Sequence, residues 1–199
     1  DVYKRQEQAT LLMRLNGIPL ALRPQGFFQT NSHIAAALYR QGAEWFADSG
    51  AGSLWDLYCG VGGFALHAAR RVPGARVLGL EISEQAVAAA RITAADLGLE
   101  RVRFTAGDAT GIATGIAAGV GRRAPEALVV NPPRRGLGPE LAAWIEESGI
   151  PTVIYSSCHA PSLVRDLSAM PSLSVRRARL FDMFPQTDHA ETMVLLSRR

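Results

Sequence analysis

The sequence holds 199 residues, 48% of them apolar, with a net charge of +3, which suits one domain with a sizeable core. No apolar run approaches the ~20 residues of a membrane helix and no secretory pattern opens the chain, so no membrane partner is expected. Two cysteines, Cys59 and Cys158, make no disulfide framework, and the four histidines have no zinc spacing, so a reducing, cytoplasmic setting without a metal is expected. Lys4 is the only lysine. Arginine suits phosphate and base contacts through its planar fork, although an Ala- and Gly-rich composition also fits a genomic bias.

The chain opens DVYKRQ, without Met, and reads as a piece of a longer protein. Residues 1–30 are expected to be a remnant β element or a linker, and residues 31–199 one domain that starts with a helix from Asn31 to Asp48. Strand candidates then alternate with helices. SLWDLYC (Ser53 to Cys59) precedes a helix over Gly63 to Arg71. ARVLGLE (Ala75 to Glu81) precedes a helix from Ser83, its cap, to Gly98, its stop. VRFTAGD (Val102 to Asp108), EALVVN (Glu126 to Asn131) and PTVIYSS (Pro151 to Ser157) continue the series, with a helix near Pro139 to Ser148 and a short helix and loop in Gly111 to Pro125. This alternation predicts an α/β, doubly wound, mostly parallel sheet, which binds ligands at the carboxyl ends of its strands. Ser174 to Phe184 and Glu191 to Arg199 leave no room for a helix between them, so the sheet should end in an antiparallel hairpin.

Each strand end carries a candidate. Glycines 60, 62 and 63 in DLYCGVGGF allow a tight turn close to a ligand, though position 65 is Ala and no clean G-x-G-x-x-G is present. Glu81 stands where an acid grips ribose hydroxyls, which fits NAD and S-adenosylmethionine alike. Asp108 either reaches an adenine edge or caps a helix. NPPRRG (Asn131 to Gly136) offers an amide at a strand end; base-amino methyltransferases place an aromatic residue after Asn-Pro-Pro, and here Arg134 stands instead. Cys158 follows the fifth strand and precedes a helix expected near Pro161, whose dipole would lower its thiol pKa. Cys59 reads as structural. In DMFPQTDHAE, Asp188 and His189 suit a polar turn, while Glu191 opens an apolar strand, where a carboxylate is out of place unless it is paired or working.

Together GFFQTN, DLYCGVGGF, NPPRRG, YSSCHAPSLVRDL and LFDMFPQTDHAE, in this order from about Gln25 onward, resemble the RNA uracil-5-methyltransferases. The branch acting on bacterial 23S ribosomal RNA is the most similar. The resemblance implies a Rossmann-like class I methyltransferase fold with a seven-stranded sheet. It implies methyl transfer from S-adenosylmethionine to carbon 5 of a uridine through a covalent cysteine adduct. Gln29, Tyr58, Glu81 and Asn131 match cofactor positions, joined by Gly60, Gly62 and Asp108 from the residue reading. Cys158 matches the nucleophile and Glu191 the general base, with Arg134 and Arg135 as candidate RNA contacts. Other members often carry Asn where His159 follows the cysteine. They also carry an N-terminal RNA-binding domain or a cysteine-rich iron–sulfur segment that this sequence does not match, so no iron–sulfur cluster is expected here. A cytoplasmic monomer acting on RNA is the expectation. A transfer RNA substrate, an inactive cofactor- or RNA-binding fragment, a base-amino methyltransferase and an NAD oxidoreductase are the rivals.

Overall fold

The computed structural model describes residues 11–22, 31–108, 110–111, 124–183, 185–187 and 190–199. Strands β1 (Leu11–Leu15) and β2 (Ile18–Leu22) form a two-stranded antiparallel hairpin. Its turn is Asn16-Gly17, both at positive φ (49° and 80°), the backbone that a two-residue hairpin demands. Leu15, Ile18 and Leu20 lie buried in the same apolar cluster as residues of the main sheet.

Helix α1 (Ser32–Asp48) is capped by Asn31, whose side chain accepts from Ile34 N–H at 3.2 Å. Then follow β3 (Ser53–Leu57), α2 (Gly63–Arg71), β4 (Arg76–Glu81), α3 (Glu84–Asp96), β5 (Val102–Ala106) and β6 (Ala127–Val130). Helix α4 (Pro139–Glu147), β7 (Thr152–Ser157), α5 (Ala160–Ser168), β8 (Leu173–Phe181) and β9 (Glu191–Arg198) complete the chain. Ser83 caps α3 by accepting from Ala86 N–H, and Gly98 follows that helix at φ +64°. Most of the Gly111 to Pro125 stretch lies outside the described residues.

Seven strands form one sheet in the order β5-β4-β3-β6-β7-β9-β8. β9 runs antiparallel to β7 and β8; the other neighbours are parallel. The expected α/β sheet with a terminal antiparallel hairpin is therefore the observed one. The chain leaves β3 and β6 towards opposite sides of the sheet, and the carboxyl ends at such a switch point are where sheets of this kind bind ligands. The central strands are buried on both faces. One apolar cluster lies under α1, α2, α3 and the hairpin, and another under α4 and α5, where Trp55 and Trp144 stack with ring centres 6.1 Å apart.

Gly79 shows how tightly the sheet is filled beside the switch point. A Cβ there would lie 2.4 Å from the Phe104 ring and 2.8 Å from the Cys59 sulfur. Gly79→Ala is expected to destabilise the fold by ~1–3 kcal/mol, as overpacking does, with a lower urea midpoint and an unchanged slope.

Candidate active site

Leu57 ends β3 and the chain turns through Tyr58, Cys59, Gly60, Val61 and Gly62 into α2. Tyr58 holds φ +64°, uncommon for a residue with a side chain, and Gly60 and Gly62 hold +53° and +88°. A Cβ on Gly60 would meet nothing within 4 Å, so bare backbone faces open space there; one on Gly62 would strike Phe104 at 2.8 Å. Glu81 fixes this turn from the end of β4: its Oε2 accepts from Gly60 N–H and its Oε1 from Ser83 N–H, each at 3.0 Å. Each oxygen keeps lone-pair capacity for a ligand hydroxyl.

Beneath the turn, Asp56 is fully buried. Its Oδ2 accepts from Ala65 N–H at 2.9 Å, and its Oδ1 has no partner among the described residues. Burial, opposed by the Ala65 bond and aided by the Glu81 charge, pushes its pKa up to about 8. Asp108 accepts from Gly111 N–H at 2.8 Å, the capping geometry, and its charge also acts on the half-buried Tyr58 phenol. Gln29, Asp188 and His189 lie outside the described residues.

At the end of β6, Asn131 donates its N–H to Leu57 O at 3.4 Å, which sets it beside the Tyr58 turn. Arg134 and Arg135 follow as exposed residues. β7 brings Ser156, Ser157 and then Cys158 to the same edge. Antiparallel pairing sets Ser157 opposite Thr192, so Cys158 and Glu191 stand at the next step of the ladder. Glu191 is 1% exposed and accepts from the Ser156 hydroxyl at 2.5 Å. Burial raises its pKa to about 7, against the lowering effect of the Ser156 bond.

The Cys158 thiol is half-buried, and here the expectation from the helix dipole is corrected. Its pKa is raised, first by burial and then by the Glu191 charge, with the Arg134 charge offsetting part. Burial is the largest influence on the thiol, which precedes the helix cap. That cap is His159, whose Nδ1 accepts from Ser162 N–H at 3.3 Å at the start of α5. Cys59 is the inert member of the pair: it is buried, and burial drives its pKa well up. Sequence reasoning missed Ser156 and Asp56 as parts of the site. Neither had a signal beyond a polar residue within an apolar strand.

A family model described as tRNA (Uracil-5-)-methyltransferase matches residues 14–199. The chain belongs to this family. It is 47% identical over 193 residues to the 23S rRNA (uracil(747)-C(5))-methyltransferase of Halothiobacillus neapolitanus, covering 96% of this chain and 50% of the relative. It is 44% identical to the protein of the same name from Vibrio vulnificus, covering 95% and 48%. The chain thus spans about half the length of the curated relatives it matches. Among solved structures it is similar to the Pyrococcus abyssi tRNA (uracil-54, C5)-methyltransferase in complex with S-adenosyl-L-homocysteine. That match has a TM-score of 0.78 and 27% identity, and covers 94% of this chain and 44% of that one. Trm5b from Pyrococcus abyssi shares the fold at a TM-score of 0.69 and 15% identity, covering 95% and 55%.

The site makes a stability signature. A carboxyl whose pKa rises on folding leaves the native state holding more protons than the unfolded one, so stability falls as pH climbs from about 4.5 to about 7 and is flat above. Glu191→Gln removes that loss. Its stability relative to the parent chain is expected to improve between pH 5 and pH 8 by up to ~3 kcal/mol, read by urea denaturation across pH. Ser156→Ala is expected to move the upper end of the transition to higher pH, because it deletes the bond that favours the ionised form.

Proposed function

We propose that this chain is the methyl-transferring part of an RNA uracil-C5 methyltransferase that uses S-adenosylmethionine. The single observation that carries the reading is the placement of a half-buried thiol, Cys158, against a buried carboxyl, Glu191, beside the glycine turn at the carboxyl edge of the sheet. The substrate favoured is a uridine of 23S ribosomal RNA, on the strength of relatives at 44–47% identity. A transfer RNA uridine rests on the more distant 27% match. Acting on ribosomal RNA, the enzyme would work in the cytoplasm.

The described residues fit the cofactor. Gly60 offers bare backbone against open space, Glu81 offers two carboxylate oxygens for ribose hydroxyls, and Tyr58 and Asn131 stand at the ends of the neighbouring strands β3 and β6. These residues would hold it, with Gly62 shaping the turn, Asp108 at the adenine and Gln29 joining by its match to the family. When bound, S-adenosylmethionine supplies an electrophilic methyl group.

Carbon 5 of uracil is a weak nucleophile. Cys158, deprotonated, adds to carbon 6, and the displaced π electrons form an enolate, which makes carbon 5 nucleophilic towards the methyl. This is covalent catalysis, one hard step split into easier ones. Glu191 then takes the proton from carbon 5. The freed electron pair restores the 5,6 double bond, the sulfur–carbon bond breaks and the thiolate returns. A base with a pKa of about 7 is well matched to neutral pH. The target uridine must leave its stack to reach the thiol, and the exposed Arg134 and Arg135 after β6 are suited to its flanking phosphates or carbonyls.

An RNA with 5-fluorouridine at the target position tests this. Fluorine cannot leave as a proton, so a denaturation-stable protein–RNA complex is expected that needs both S-adenosylmethionine and Cys158, and Cys158→Ala should give none. Glu191→Gln is expected to form the adduct on ordinary uridine yet release product ~10²–10⁴-fold more slowly. A Cys158→Ala chain that still methylates uridine would overturn the mechanism. Intact cofactor binding without a complex on either ribosomal or transfer RNA would favour an inactive fragment that depends on the remaining half of its longer relatives.

A further inference from the structure

The loop after β6 bears Arg134, whose charge acts on the Cys158 thiol, yet its backbone has few anchors. Pro132 and Pro133 have no N–H to give, and Asn131 reaches Leu57 O only at 3.4 Å. The loop is held instead by one buried carboxylate on α5. Asp166 is 2% exposed. Its Oδ2 accepts from Leu137 N–H and from the Tyr155 hydroxyl, each at 2.7 Å. Its Oδ1 accepts from Arg165 Nε at 3.1 Å and Nη2 at 2.9 Å. Arg165 Nη2 also donates to Arg135 O at 2.5 Å. Gly136 lies against the pair at φ +81°, where a Cβ would sit 2.3 Å from Asp166 Oδ2.

The cluster therefore ties three elements at one point: β7 through Tyr155, α5 through Arg165 and Asp166, and the loop through Arg135 and Leu137. Cys158 lies in the short link between β7 and α5, so both its flanks belong to the cluster. The carboxylate is buried while the Arg165 side chain is 60% exposed, and a buried charged group is better attested as a device that specifies one geometry than as a source of stability. Here the geometry specified is that of the loop bearing Arg134, whose charge favours the Cys158 thiolate, relative to the link that bears Cys158. We propose that Asp166, braced by Tyr155, is a positioning residue that holds the loop bearing Arg134 and the link bearing Cys158 in one arrangement, in which the Arg134 charge favours the thiolate. This deepens the proposed function, since it concerns the nucleophile of that reaction.

The charged groups facing the thiol are Glu191 from β9 and Arg134 from the loop. Removing the Asp166 anion would by direct electrostatics ease thiol ionisation. Releasing Arg134 would hinder it. The two effects have opposite signs, which separates positioning from mere loss of charge.

The test is the pH dependence of Cys158 alkylation by iodoacetamide in the full chain, followed at the Cys158 peptide by mass spectrometry, without RNA or cofactor. Asp166→Asn is expected to raise the midpoint by about half a unit or more, roughly a threefold slower reaction below it, and Arg134→Ala to do the same. The Asp166→Asn/Arg134→Ala double variant should shift no further than Arg134→Ala alone, because the two residues act in series. Tyr155→Phe, which keeps volume and deletes one hydrogen bond, should give a smaller shift in the same direction and serves if Asp166→Asn does not fold. A folded Asp166→Asn or Tyr155→Phe chain with an unchanged or lowered midpoint, or additive shifts, would overturn the proposal. Failure of the proposed function itself is read separately, as absence of the 5-fluorouridine complex in the parent chain.

Discussion

A half-buried thiol and a buried carboxyl set close together resist being charged at the same time. Burial raises both pKa values, and the Glu191 charge raises that of Cys158 further. Coupling of this kind is reciprocal, so a thiolate at Cys158 raises the cost of ionising Glu191 in turn. The proposed reaction needs the two charges at different times. Addition to carbon 6 needs the thiolate while the carboxyl does no work. Once the sulfur is bonded to carbon it is a neutral thioether, its repulsion of Glu191 is gone, and the carboxylate becomes easier to form when a base is required. The order of events is thus favoured by the pair itself, with Ser156 and Arg134 setting the balance.

The sheet topology makes this pair possible. In an all-parallel sheet, β9 would start at the amino edge and Glu191 would lie a full strand length from Cys158. The antiparallel return brings the first residue of β9 to the carboxyl edge, in the ladder step after Ser157 and Thr192. The terminal hairpin thereby supplies the base of the proposed reaction. The glycine turn after β3 and the Asn131 loop after β6 reach the same edge from neighbouring strands, so the proposed cofactor and nucleophile positions converge there.

Much of this was legible in the sequence because it depends on order and spacing along one strand at a time. Apolar runs, the Ser83 cap and the Gly98 stop locate elements locally, and Glu191 betrays itself as an acid at the head of the apolar run ETMVLLS. What depends on register or on depth was not legible. Ser156 becomes a partner of Glu191 only through the β7–β9 pairing. Asp166 reads as an ordinary polar residue of an amphipathic helix until the helix is seen to press it onto Tyr155 and Leu137. The direction of the Cys158 pKa was misjudged for the same reason. A helix start can be read from sequence, whereas burial of the preceding residue cannot.

The residue after the proposed nucleophile departs from the asparagine expected from the family resemblance, and its surroundings let it cap the following helix in the same way. A helix that begins just beyond a nucleophile must be capped, or its free N–H groups would compete for the sulfur and loosen the link that aims it. Asparagine caps with its side-chain oxygen. His159 does the same with Nδ1, accepting from Ser162 N–H at 3.3 Å, while its backbone carbonyl receives the Ser162 hydroxyl at 2.9 Å. Its own N–H is taken by the Ser157 hydroxyl at 3.1 Å. The cap demands an acceptor at that point rather than a particular residue. A neutral imidazole with its proton on Nε2 meets that demand and leaves the turn that presents Cys158 in place.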